Sequence, residues 1–181
     1  MDKIGKIKES HKIYHSFCLR PKINFDGQND HEDIVLVLRA HPVTQVFWLI
    51  NGFILLITII LLNFIFPKFL DYYQILFFDL FGLVITLSYL WFNFLGWFFN
   101  VGIVTNQRVI DIDFNGVLYK EVTIAMLRKI EDVTSKSGGF FSSVFDFGNV
   151  FIQTAGTEAN IEFMDIPKPS QVAKIINQLL S

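Results

Sequence analysis

The chain has 181 residues, of which 52% are apolar and only 18% charged, with a net charge of −2. That length allows one modest domain plus extra elements, and that charge supplies no basic field for nucleic acid, so no nucleic-acid partner is expected. A single cysteine, Cys18, excludes an internal disulfide and a thiolate metal cluster.

The hydrophobic excess is not evenly spread. Residues 1–45 and 100–181 read as ordinary soluble sequence, and the surplus lies between them. The 21 phenylalanines read as lipid-facing composition or codon bias. Residues 1–32 mix Lys, His, Asp and Asn with scattered apolar groups. Lys3, Lys6, Lys8 and Lys12 would attract anionic lipid at about 1 kcal/mol each near a surface, but Asp2 and Glu9 dilute the patch, and a solvated tail is the simpler reading. Phe25-Asp26-Gly27-Gln28-Asn29-Asp30 reads as a turn. Residues 33–39 follow, with Ile34, Val35, Leu36, Val37 and Leu38 apolar on both faces, as in a buried strand.

From Val46 to Phe66 there are 16 Val, Leu, Ile or Phe residues and no charge. As a helix this stretch covers about 31 Å, the thickness of a hydrocarbon core. A second apolar span runs over 73–96, with 14 strongly apolar residues between Gln74 and Gly96 and one ionisable group, Asp79. A central Asp costs roughly 2.5–3.5 kcal/mol, less than the apolar residues return. Pro67-Lys68-Phe69-Leu70-Asp71 is too short to hold a domain, so the spans form an antiparallel transmembrane hairpin, 46–66 and 73–96. The first span is not a cleavable leader, because it is too long and a polar stretch precedes it. Lys and Arg crowd the flanks, and the connector carries only Lys68. The expected placement is multi-pass in the cell membrane with both termini cytoplasmic. Trp48, Trp91 and Trp97 would then fall near the inner interface, and Tyr72 and Tyr73 near the outer one.

After Asn100 the period changes to two. Val101 to Thr105 and Arg108 to Phe114 read as strands, the second with Ile110, Ile112 and Phe114 on one face and Asp111 and Asp113 on the other. Asn115-Gly116 signals a tight turn into a strand over 117–125. Residues 129–136 read as a bulged strand, Phe140 to Phe145 as a short helical turn, and 148–154 and 159–166 as two more strands, joined by a turn at Ala155-Gly156-Thr157. Pro167-Lys168-Pro169-Ser170 opens a final helix whose apolar face is Val172, Ile175, Ile176, Leu179 and Leu180.

The segments VTNQRVIDIDF, LRKIEDVTS, FFSSVFDFGNVFIQTAG and IPKPSQVAKIINQL, in that order beside a transmembrane pair, resemble the bacterial pleckstrin-homology-like (PH-like) domain of the membrane-flanked, YdbS-like group. The resemblance covers about residues 97–181. It implies a mainly-β PH-like barrel of about six to seven antiparallel strands capped by a C-terminal α-helix. Six strands follow the hairpin where the fold usually has seven, so the 33–39 strand is expected to pair with an edge of this domain. The fold class is thus a membrane α-helical hairpin plus that barrel, divided as 1–45, 46–96 and 97–181.

No catalytic, cofactor-binding or metal site is expected. His31-Glu32-Asp33 opens like a zinc-protease helix motif, but position 35 is Val. His11 and His15 lack a third ligand. Asp146-Phe147-Gly148 matches the kinase magnesium triplet without the surrounding kinase motifs. The turn Thr105-Asn106-Gln107-Arg108 carries one cation, too few for an inositol-phosphate site. Arg108, Arg128 and Lys129 are the candidate lipid-headgroup contacts. Asp79 and Asn51 are the intramembrane polar candidates, with structural or assembly use expected first; Asp79 is placed to hydrogen-bond Thr58, Asn63 or a sister chain. Gly82, Ser88 and Gly96 allow close helix contact. Phe140, Phe141 and Phe145 are expected to pack in the core, with an exposed contact as the other reading. The leading expectation is a non-catalytic, membrane-anchored module for protein–protein interaction or self-assembly, its partners the lipid bilayer and a membrane protein or a homo-oligomer. The rivals are an anionic-lipid sensor and an auxiliary subunit of a membrane transport or export system.

Overall fold

The computed structural model describes residues 15–21, 23–115, 119–156 and 160–180. Lys3, Lys6, Lys8, Lys12, His11, Asp2, Glu9, Gly116, Val117, Thr157 and Ala159, which entered the expectations above, lie outside these residues.

Two strands precede the hairpin: β1 (Phe17–Leu19) and β2 (Ile34–Leu38). A 3-10 turn, Pro42–Gln45, leads into α1 (Val46–Ile65). Another, Phe66–Lys68, leads to α2 (Tyr72–Phe99), which opens on a capping box of Asp71 and Gln74. Both helices are long and apolar enough to cross a membrane, and almost none of either is buried by the rest of the chain. Leu90 fills the space over Gly52, and Ile59 approaches to 3.0 Å of the position a Cβ on Gly82 would take. Gly82 thus serves the close helix contact, with Gly52 as a second notch. Gly96 meets nothing within 4 Å.

Beyond the hairpin come β3 (Val101–Thr105), β4 (Arg108–Asn115), β5 (Tyr119–Met126), β6 (Ile130–Lys136), α3 (Phe140–Phe145), β7 (Phe147–Thr154), β8 (Ile161–Pro167) and α4 (Pro169–Leu180). Two antiparallel sheets result, ordered β1-β2-β3-β4-β5 and β6-β7-β8. The expected closed barrel is therefore corrected to an open pair of sheets. The reason lies at Leu127–Lys129, where a 3-10 turn breaks the ladder between β5 and β6 and carries the chain from one sheet to the other. Without a continuous ladder a sheet cannot close.

β2 pairs with β3, with Leu36 opposite Val104 and Leu38 opposite Gly102. The hairpin is thus inserted between two neighbouring strands of one sheet. A bulge between Ile34 and Leu36 turns both Val35 and Leu36 toward the main core. That core joins Leu36, Leu38, Val104 and Val109 from the first sheet to Val150, Ile152, Ile161 and Phe163 from the second. Gly102 is small because the ring of Phe163 occupies the space its Cβ would need. The apolar face of α4, with Val172, Ile175 and Ile176 buried and Leu179 and Leu180 packed beside them, covers β6, β7 and the corner where the sheets part. A second cluster, Cys18, Ile34, Val37, Ile103 and Ile110, lies on the other face of the five-stranded sheet.

Candidate functional site

The two ends of the hairpin join the sheets through residues 39–45 and through Asn100. Neither connection is slack. Trp97 Nε1 donates to the Ala40 carbonyl at 2.9 Å, and Ser16 Oγ donates to the same oxygen at 3.0 Å. Asn100 Oδ1 accepts the Phe114 amide at 2.6 Å, and the Phe99 and Phe114 rings lie 5.3 Å apart. The Arg39 guanidinium sits 4.9 Å over Phe98.

His41 is the centre of the other connection. Its amide donates to the Asp165 carbonyl at 2.7 Å, and its ring stacks on Phe147 at 5.7 Å. Its Nδ1 accepts the Val43 amide at 3.2 Å and so caps the turn that starts α1. Burial lowers the His41 pKa and so favours the neutral ring, while the charge of Asp146 opposes the shift. The Asp146-Phe147-Gly148 triplet has a structural use here. Phe147 supports His41, and Gly148 is small because the Lys136 carbonyl and Ser137 press on it.

Two concavities flank this junction. A groove of about 430 Å³ is lined by Ala40, Gln45, Phe92, Asn93, Gly96, Trp97 and Asn100. A cleft of about 240 Å³ opens between the sheets, its lining including Arg39, Asn100, Asp111 and Asp113 from the five-stranded sheet and its margin and Glu162 and Met164 from β8. Burial pushes the Asp111 carboxyl up to about 7, helped by the charges of Asp113 and Glu121. Asp113 is raised for the same reasons, burial first and then Glu121. Among the described residues, no three His, Cys, Asp or Glu side chains stand close enough to hold a metal ion.

The candidate headgroup cations lie elsewhere. β3 starts beside the hairpin at Val101 and ends at Thr105, roughly 13 Å away at 3.3–3.4 Å per residue. Arg108 follows that far turn, and the corner bearing Arg128 and Lys129 is fastened beside it by Leu127 N donating to the Gln107 carbonyl at 3.0 Å. All three cations therefore stand at the end of the sheets away from the hairpin. Arg108 is moreover engaged. Its Nε and Nη2 donate to the two Glu32 oxygens at 2.9 and 3.0 Å, and Nη2 also donates to the Gly27 carbonyl at 2.7 Å. The Glu32 side chain is fully buried, and Thr105 Oγ1 donates to it at 2.8 Å. Glu32 thus fastens the segment before β2 to the β3–β4 turn. Nothing in the local pattern signalled this, because the partners are 76 residues apart.

Within the hairpin, Asn63 Nδ2 donates to Asp79 Oδ1 at 2.7 Å. Asn51 Nδ2 lies 3.5 Å from the Tyr89 hydroxyl, the outer limit of a hydrogen bond. Thr58 turns back to its own helix, donating to the Ile54 carbonyl. The expectation that Phe140, Phe141 and Phe145 pack in the core is corrected, because they are 78%, 59% and 45% exposed. Gly139 and the left-handed Asp146 turn the backbone out of and back into the sheet, so the helix between them stands clear of the core.

A family model described as a bacterial PH domain matches residues 45–180. Neither the comparison with curated proteins nor the comparison with solved structures gives a match.

Proposed function

Because the chain belongs to the bacterial PH domain family, we propose that it is a membrane-anchored, non-catalytic PH-like module that binds protein partners, or copies of itself, at the inner face of the cell membrane. The observation that carries this reading is the insertion of the hairpin between β2 and β3. Two apolar helices with almost no buried surface need lipid around them, and their ends are tied into adjacent strands. The excess of Lys and Arg on the flanks over the lone Lys68 of the connector supports a cytoplasmic position for the sheets.

Tethering a domain to a membrane raises its effective concentration for membrane-bound partners, so weak contacts suffice. β5 supplies a surface for such contacts. It is the outer strand of its sheet, and Val122 and Ile124 are 44% and 46% exposed along it. An open edge is a template for strand addition.

The test is photocrosslinking in native membranes from probes at positions 122 and 124 of the full chain. The reading expects one recurrent protein adduct, from a partner or a second copy, that Val122→Lys with Ile124→Lys abolishes. Lipid adducts alone, or no adduct, would overturn it.

A further inference from the structure

We infer that α3 is a third membrane contact, an apolar prow that dips into the headgroup–acyl boundary of the leaflet from which the hairpin emerges. The inference rests on the membrane-anchored reading above and adds a surface to it.

The position of α3 follows from strand direction. The corner at Leu127–Lys129 is at the far end of the sheets, so β6 runs from it back toward the hairpin. Lys136 ends β6, and α3 follows after Gly138-Gly139. β7 begins directly after α3 with Phe147, whose ring stacks on His41, the residue preceding the turn that starts α1. The helix therefore hangs from the hairpin end of the domain, beside the place where the chain enters α1.

The composition of α3 fits a lipid boundary. Its sequence, FFSSVF, carries no charge. Phe140, Phe141, Val144 and Phe145 share one side at spacings of one and four residues and are 78%, 59%, 59% and 45% exposed. Isolated exposed apolar residues need no explanation, but a contiguous patch marks an interaction surface. The helix is also held firmly. Ser142 is buried and donates from Oγ to the Phe147 carbonyl, and the Asp146 carbonyl accepts the Lys168 amide at 2.8 Å. A firmly held, uncharged aromatic face needs a cover, and the surface already adjoining it is the bilayer around α1. Amphipathic segments sink roughly 5–10 Å into that boundary, within reach of a one-and-a-half-turn helix beside it.

The experiment uses the full chain in phosphatidylcholine–phosphatidylglycerol nanodiscs. A polarity-sensitive fluorophore is attached to Phe141→Cys and, separately, to Val144→Cys. Cys18 is buried, so the parent chain gives the labelling background. Quenching by nitroxide-bearing lipid tails and by aqueous iodide is compared with two references, Phe53→Cys in α1 and Asn177→Cys near the far end of α4. The inference expects positions 141 and 144 to be quenched by lipid and shielded from iodide, and position 177 to show the reverse. Iodide access without lipid quenching overturns it. Shielding from both quenchers also overturns it, since a protein then covers the face. If position 53 is not quenched by lipid, the membrane-anchored reading itself fails, a result distinct from failure at 141 and 144 alone.

Discussion

Trp97 Nε1, in the last turn of α2, donates to the carbonyl of Ala40, which lies just before α1, at 2.9 Å. One bond thus links the chain on its way into the hairpin to the chain on its way out, 57 residues later. Phe, which keeps the ring and removes the donor, isolates its contribution. Trp97→Phe should cost about 1 kcal/mol and make residues 39–45 more open to proteases in a reconstituted sample. Unchanged cleavage would show that His41 and Asn100 suffice to hold the junction.

The Glu32–Arg108 pair should matter more. Glu32→Ala leaves a largely buried guanidinium without its partner, which costs about 3 kcal/mol. Arg108→Ala should cost a similar amount, and the double variant little more than either single one. Denaturant unfolding of the three variants checks this, and simple additivity would contradict it. The pH dependence has a definite sign. Burial works to raise the Glu32 pKa, but bonds from Arg108, the Asn29 amide and Thr105 outweigh it and hold the carboxyl below its ordinary value. A depressed acid contributes fully above its unfolded pKa, so this stabilisation is present above about pH 4.5 and is lost as pH falls through the folded value.

Asp111 has the opposite sign. Its folded pKa, about 7, lies above the ordinary 3.8, so its contribution is complete below about pH 4 and is lost as pH rises through about 7. Ionising it beside Asp113 and Glu121 opposes folding. Asp111→Asn should therefore stabilise the chain above pH 7 by on the order of 2 kcal/mol, after allowance for solvent screening, and leave it unchanged near pH 4. Thermal unfolding at the two pH values tests this. Equal effects at both would separate the carboxyl from the pH response.

Asn63 and Asp79 answer each other within one hairpin. Hydrogen bonds between membrane helices average about 0.6 kcal/mol, so Asn63→Leu and Asp79→Leu should each weaken the hairpin by that order. Each single variant should lose the same coupling, read by detergent-induced unfolding. If only Asp79→Leu changes the oligomer size, the carboxylate serves a partner chain instead.

The elements set by local pattern were legible in the residues themselves. An uncharged apolar run specifies a helix that needs lipid, alternation specifies a half-buried strand, and the spacing of Val172, Ile175, Ile176, Leu179 and Leu180 specifies one face of α4. The family resemblance carried by segments between residues 97 and 181 agrees with the family match over 45–180. Three-residue β1 left no readable signal, because Phe17, Cys18 and Leu19 are too few to show a period. What the tertiary structure decided are relations between distant parts. These are the parting of the sheets at Leu127–Lys129, the capture of Arg108 by Glu32, and the turning outward of Phe140, Phe141 and Phe145. The physical reason is common to all three. Periodicity reports which residues want burial, whereas burial itself depends on which surfaces the folded chain brings together. At α3 the fold leaves Phe140, Phe141 and Phe145 exposed among the described residues. The low charge and high apolar content of the sequence foretold two helices long and apolar enough to cross a membrane, and only the fold placed a second apolar surface beside them.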